Sequence, residues 1–166
     1  MRMIAVCMLM ASLGLVSGCG DSKFKTYRGP DVTGIYVDKS DRKMFLMHGT
    51  QALKVYNVSL GKQPVGHKEF EGDGKTPEGT YLIDRRKPDS PFHLSIGISY
   101  PNVMDADFAH AQGKEPGGAI VIHGVGRARP PKDLWDWTDG CIAVTDEEME
   151  DVYAMVRNGT PITIVP

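Results

Sequence analysis

The chain has 166 residues, 41% of them hydrophobic, which is material for one ordinary domain with a core of normal size and argues against several domains. Its 19 basic and 21 acidic residues leave a formal charge of -2, so there is no broad basic field for nucleic acid. Nor is there a basic cluster interleaved with aromatics of the kind that binds single strands.

Taken in chain order, residues 1–20, "MRMIAVCMLMASLGLVSGCG", place one positive residue, Arg2, before an apolar stretch too short for a stable membrane span, which reads as a secretory signal. The stretch ends in Val16-Ser17-Gly18-Cys19, which resembles the bacterial lipobox, where the signal is cut before a cysteine that becomes the lipid-bearing first residue. On that resemblance, residues 1–18 are a signal peptide and Cys19 carries acyl chains, each buried methylene adding about 0.8 kcal/mol of membrane affinity. The expected product is a lipoprotein facing the periplasm, with Gly20 after the cysteine mildly favouring the outer membrane. Residues 19–33 are polar, contain a Gly-Pro break and read as a tether, and the domain is expected over 34–166.

From Gly34, two or three runs with β-branched and aromatic residues are separated by "KSDR" and "HGTQ", which predicts a hairpin or meander. Residues 71–80, "EGDGKTPEGT", have loop composition and lack the acidic alternation of a calcium loop. Strands are predicted at 80–86, 92–100 and 119–124, a short helix over 104–113, and a last strand in "TPITIV". The main helix starts at Thr145, with Glu148 completing a capping box and Met149, Val152, Tyr153 and Val156 forming one apolar face; Gly159 is the predicted stop. The expected fold class is mainly β with one substantial helix near the C-terminus.

Removal of the signal takes Cys7, and acylation would occupy Cys19, leaving Cys141 as the one remaining thiol. In an oxidising compartment such a thiol is buried and inert, paired between molecules, or used for chemistry. A nucleophilic thiol needs a base or a positive neighbour, because its ordinary pKa near 8.5 leaves only a few per cent ionised at neutral pH. His123, closing the run "AIVIHG", is the candidate base, and Cys141 opens "IAV" after a glycine, so adjacent strands would unite them; a histidine merely satisfied in the core is the alternative. His48 and His67 fall in turn-like contexts and read as surface residues, whereas His93 lines a groove or a strand face. No histidine or cysteine spacing fits a zinc site, so neither metal nor other cofactor is expected.

"IHG" at 122–124, fourteen residues from 124 to 137, and "TDGCI" at 138–142 together resemble the signature of the L,D-transpeptidase catalytic domain, or YkuD domain. "GDGKTPEGTY" (72–81) and "SYPN" (99–102) resemble upstream segments of that family, so the likeness spans residues 34–166. Two positions depart from the usual pattern: Asp139 stands where histidine precedes the glycine, and Ala143 where asparagine or arginine follows the hydrophobic residue. "WTDGCIA" (137–143) resembles a W-T-x-G-C-I-A branch. The resemblance implies a YkuD-like β-sandwich or barrel and attack by Cys141 on an L-centred residue of a peptidoglycan stem peptide, with His123 as general base and then acid. It also implies Gly140 and Cys141 amides as oxyanion donors and Thr138 as an orienting residue. Arg127, Arg129, Trp137 and Asp139 are candidate substrate contacts, with Trp135 and Trp137 as groove walls or core aromatics. Partners would be the stem peptides and the membrane through the lipid anchor, with carbapenems as covalent inhibitors. The acceptor would be a second stem, a protein amine or water. Alternatives are an L,D-carboxypeptidase or amidase of the same fold, and an inactive lipid-anchored wall-binding module. Papain-like peptidases place cysteine before histidine, the reverse of the order here.

Overall fold

The computed structural model of the chain describes residues 22–128, 130 and 135–166. The signal, Cys7, the lipidation candidate Cys19 and Arg129 lie outside the described residues.

A meander opens the domain: β1 (Gly34–Asp38), β2 (Lys43–His48) and β3 (Gln51–Asn57) pair antiparallel in succession. The two predicted turns connect them, with Arg42 and Gly49 at positive φ. Next come β4 (Gly79–Lys87), β5 (Ser95–Ile98), α1 (Val103–Ala111), β6 (Val121–His123), β7 (Ile142–Ala143), α2 (Asp146–Met155) and β8 (Pro161–Val165). Their order in the sheet is β3-β2-β1-β8-β4-β5-β6-β7. Strand β4 joins two halves of that sheet: Gly79–Leu82 pairs with β8, and after an irregularity between Ile83 and Arg85 the strand continues against β5. The mainly β class therefore holds.

The core is built from alternating strand residues such as Val37, Met44, Leu46, Ile83, Ile96, Ile122, Ile142, Ile162 and Ile164, all buried. Each such side chain contributes about 1.5–3 kcal/mol of hydrophobic stabilisation. Onto this sheet α2 lays Met149, Val152 and Met155. Its N-terminus carries the predicted capping box, in which Thr145 accepts from the Glu148 amide and Glu148 accepts from the Thr145 amide. The helix ends earlier than Gly159 suggested. Val156 turns extended, the Arg86 guanidinium takes the carbonyls of Tyr153 and Val156, and Gly159 instead forms the turn into β8, its amide donating to Ile83 O at 2.7 Å. The short helix predicted over 104–113 is α1; Asn102 and Asp105 form its capping box, and Ala109 is its one buried residue. At nine residues it is nearly as long as α2, the helix expected near the C-terminus.

Two segments without regular structure are fixed by polar contacts. The loop before β4 is held by Asp73, whose carboxylate accepts from Lys68 Nζ at 2.8 Å and from the amides of Glu69, Phe70 and Lys75 at 2.8–3.0 Å. Burial works against that carboxylate, but Lys68 and the amides outweigh it and hold its pKa below the usual value. His67 belongs to the same framework rather than to a casual surface: Nδ1 accepts from the Glu78 amide at 3.0 Å, and Nε2 lies 3.2 Å from Asp105. The described part of the expected tether also packs on the domain. Lys25 pairs with Asp151 at 2.9 Å, Phe24 packs on Tyr153, and Lys23 donates to Pro88 O at 2.8 Å.

Removing the Asp73 carboxylate would strand the Lys68 ammonium, which is 4% exposed. Asp73→Ala is expected to cost about 3–5 kcal/mol in urea unfolding; a change within about 1 kcal/mol would show that the loop is held by other contacts.

Candidate active site

Strands β6 and β7 run parallel in register, Ile122 opposite Ile142 and His123 opposite Ala143. Alternation along the strands puts the two isoleucines in the core and turns His123, Ala143 and the Cys141 position to the other face. Cys141 and His123 thereby become diagonal neighbours across adjacent strands, as their placement at strand ends predicts.

The His123 ring is held on three sides. Phe92 lies against it with ring centroids 4.4 Å apart, Trp137 meets it edge-on at 5.7 Å, and Nδ1 is 2.6 Å from Gly124 O. A carbonyl can only accept, so Nδ1 carries the proton of the neutral ring and Nε2 keeps its lone pair. Burial, opposed by the Gly124 contact, lowers the pKa of His123, so the imidazole is neutral at neutral pH.

The Cys141 turn is built by its neighbours. Thr138 Oγ1 donates to Cys141 O at 2.7 Å and accepts from Gly140 N at 3.2 Å. Thr138 is itself bridged to the chain after β3: its amide donates to Leu60 O and its carbonyl accepts from Lys62 N. Asp136 clamps the same junction, taking the Arg42 guanidinium at 2.7 Å and the Leu60 amide at 3.0 Å. Gly140 has φ +129, and a Cβ there would stand 2.6 Å from Lys75 O, so both conformation and space require glycine. The loop fastened by Asp73 thus forms the back wall of the cysteine turn.

Thr138, for which the resemblance implies an orienting role, spends its hydroxyl on the Cys141 turn. The Gly140 amide donates to Thr138 Oγ1, whereas the Cys141 amide has no acceptor among the described residues.

Cys141 is half-buried, its Sγ 3.8 Å from Ala119 O. Burial pushes its pKa up, and Asp139 adds to this; the Val121 amide, Lys68 and Arg85 pull the other way. Both shifts favour the uncharged forms, a neutral thiol and a neutral imidazole, at neutral pH.

The candidate substrate contacts divide. Trp137 touches His123. Asp139 projects to solvent with its side chain 88% exposed, pairs with Lys62 at 2.8 Å, and borders a cavity of about 320 Å³ that Lys68, Gly74 and Gly117 also line. Arg127 lines a separate depression with Lys23, His93 and Asp146, in which neither Cys141 nor His123 takes part. His93 there pairs with Glu150 at 2.8 Å. Lys68 and Arg85, whose charges oppose the larger effect of burial on the thiol, and Phe92, which lies against His123, are not among the residues expected from sequence. Arg85 is brought there by the pairing of β4 with β5, Phe92 by the segment that leads into β5, and Lys68 by the loop that Asp73 fastens, none of which a local motif signals.

A histidine on the strand next to the cysteine turn is the arrangement expected from the motif, and comparison with known proteins identifies its family. The L,D-transpeptidase catalytic domain model, YkuD, matches residues 33–164. The chain belongs to the L,D-transpeptidase catalytic-domain family. It is 27% identical over 174 aligned residues to the protein named "Putative L,D-transpeptidase YafK" of Escherichia coli K12, covering 94% of this chain and 64% of that relative. Its fold is similar to the helical cell shape determining protein Pgp2 of Campylobacter jejuni, with TM-score 0.63 and 26% identity over 87% of this chain and 51% of that one. It is also similar to Bd1075 of Bdellovibrio bacteriovorus, with TM-score 0.57 and 29% identity over 81% and 48%. The chain thus spans about half to two thirds of the length of these relatives.

Two measurements probe this geometry. Thiolate absorbance near 240 nm, taken as the difference from Cys141→Ser, should emerge only above the ordinary thiol range near 8.5; a full signal at pH 7 would mean a preformed ion pair. Gly140→Ala should lower the rate of Cys141 alkylation by at least about ten-fold, through displacement of the turn; an unchanged rate would remove the Lys75 wall from the account.

Proposed function

We propose that the protein is a cysteine-dependent L,D-transpeptidase acting on peptidoglycan stem peptides through a thioester acyl-enzyme, in cell wall cross-linking or remodelling. The observation that carries this reading is the His123 tautomer: with Nδ1–H on Gly124 O, Nε2 is left as a base for Cys141, which immediately precedes the strand paired with that of His123.

In the proposed first step, the Cys141 proton passes to His123 Nε2 as sulfur bonds to the carbonyl carbon of an L-centred stem residue. The carbonyl oxygen gains the negative charge and meets the Cys141 amide; a donor of this kind is typically worth about 100- to 1,000-fold in rate. Collapse of the tetrahedral species breaks the amide bond, and the imidazolium returns its proton to the departing D-alanine amine. An acceptor amine then attacks the thioester, transfers its proton to His123 and restores the thiol. Water in place of the amine gives the hydrolytic reading, an L,D-carboxypeptidase or amidase of the same site. Arg127 lines a depression in which neither Cys141 nor His123 takes part, so it would not meet a stem carboxylate held beside the thiol.

An inactive wall-binding module receives less support. Neither departure displaces the pair: Asp139, although its charge adds to the effect of burial on the thiol, is at the surface with Lys62, and Ala143 sits in register beside His123. A lipid on Cys19 and a periplasm-facing, outer-membrane location remain part of the proposal and rest on the sequence. Among the described residues, no helix is long and apolar enough to cross a membrane.

Incubation with purified muropeptides, with products resolved by mass, should give D-alanine release or new cross-links. Cys141→Ser should abolish them, and His123→Gln should slow them about 100- to 10,000-fold. Failure of the folded wild type to change any muropeptide would favour the binding module.

A further inference from the structure

Beside the catalytic pair lies a cleft of about 470 Å³, in the size range of small-ligand sites, that the transpeptidation step does not use. Both tryptophans of the chain line it. Trp137 is shared with the pair, its edge on the His123 ring, and Ala143, the register partner of His123, also lines the cleft with no more than a methyl group. The cleft is therefore continuous with the catalytic face. Trp135 is 60% exposed, a large apolar surface turned to water beside a reactive centre.

The rim is polar. Asn57 accepts from Lys43 Nζ through Oδ1 and so keeps its amide hydrogens as donors. Ser59 supplies a hydroxyl, and Glu148, whose Oε2 serves the α2 cap, has a second oxygen to accept from a hydroxyl. Among the described residues lining the cleft there is no lysine, arginine or histidine, and the Glu148 carboxylate opposes an anionic peptide. Indole surface ringed by an amide, a hydroxyl and a carboxylate suits a neutral, polyhydroxylated ring with an apolar C–H face.

We propose that this cleft binds an N-acetylated amino sugar of the glycan strand that bears the stem, with the sugar face on Trp135. This rests on the reading of peptidoglycan as substrate and extends it from the peptide to the saccharide.

The test separates the two. A peptide-free chito-oligosaccharide, an oligomer of N-acetylglucosamine, is titrated into wild type and Cys141→Ser while tryptophan fluorescence is followed. Saturable binding is expected in both, weakened about ten-fold in Trp135→Ala and restored by Trp135→Tyr. In parallel, the ratio of kcat/KM for a disaccharide-linked stem over a sugar-free stem should fall about ten-fold in Trp135→Ala. Absence of saturable binding to wild type, equal binding by Trp135→Ala, or an unchanged ratio would overturn the proposal. Saccharide binding by a protein that turns over neither stem would support the cleft while removing the transpeptidase reading.

Discussion

The parallel pairing of β6 with β7 is the constraint on which the site depends. Each strand is very short, and two buried isoleucines, Ile122 and Ile142, lock the register. Because side chains alternate, a slip of one residue would turn either the histidine or the cysteine into the core. Everything around this pair protects its register. β5 backs β6, the Ser59–Ala143 bridge closes the outer edge of β7, and the 2.9 Å bond from Lys62 N to Thr138 O anchors the turn before it.

The electrostatics follow from the same packing. Aromatic rings and the strand face exclude water, so burial disfavours charge on both partners, lowering the histidine pKa and raising that of the thiol. A site of this kind stores no thiolate at rest. In the proposed reaction it would rely on proximity and on a fixed tautomer, with proton transfer coupled to carbon–sulfur bond formation. Supporting charges are kept just outside: Lys68 is neutralised by Asp73, Arg85 by Asp84, and Asp139 by Lys62.

Much of this was legible in the chain. The meander announced itself through β-branched runs broken by "KSDR" and "HGTQ", and α2 through its Thr145–Glu148 box, because those signals are local. The Cys141–His123 pair was legible as well, since both residues mark strand ends and their order matches a family motif. What escaped was non-local. The motif does not say what Thr138 holds, and its hydroxyl is consumed within its own turn. Arg127 follows His123 closely in sequence, yet the chain turns away, and the cations near the thiol come from β4 and the loop before it. The end of α2 was misjudged because the carbonyls of Tyr153 and Val156 are satisfied by Arg86, from a strand about seventy residues earlier.

The central claim is that Cys141 is a nucleophile whose proton is taken by His123. The most direct measurement is intact-mass analysis of the soluble domain during exposure to a carbapenem, followed by peptide mapping. The account predicts one covalent adduct per chain, located on Cys141, absent from Cys141→Ser and formed much more slowly by His123→Gln. No adduct on the folded wild type, or one formed at the same rate by His123→Gln, would contradict it.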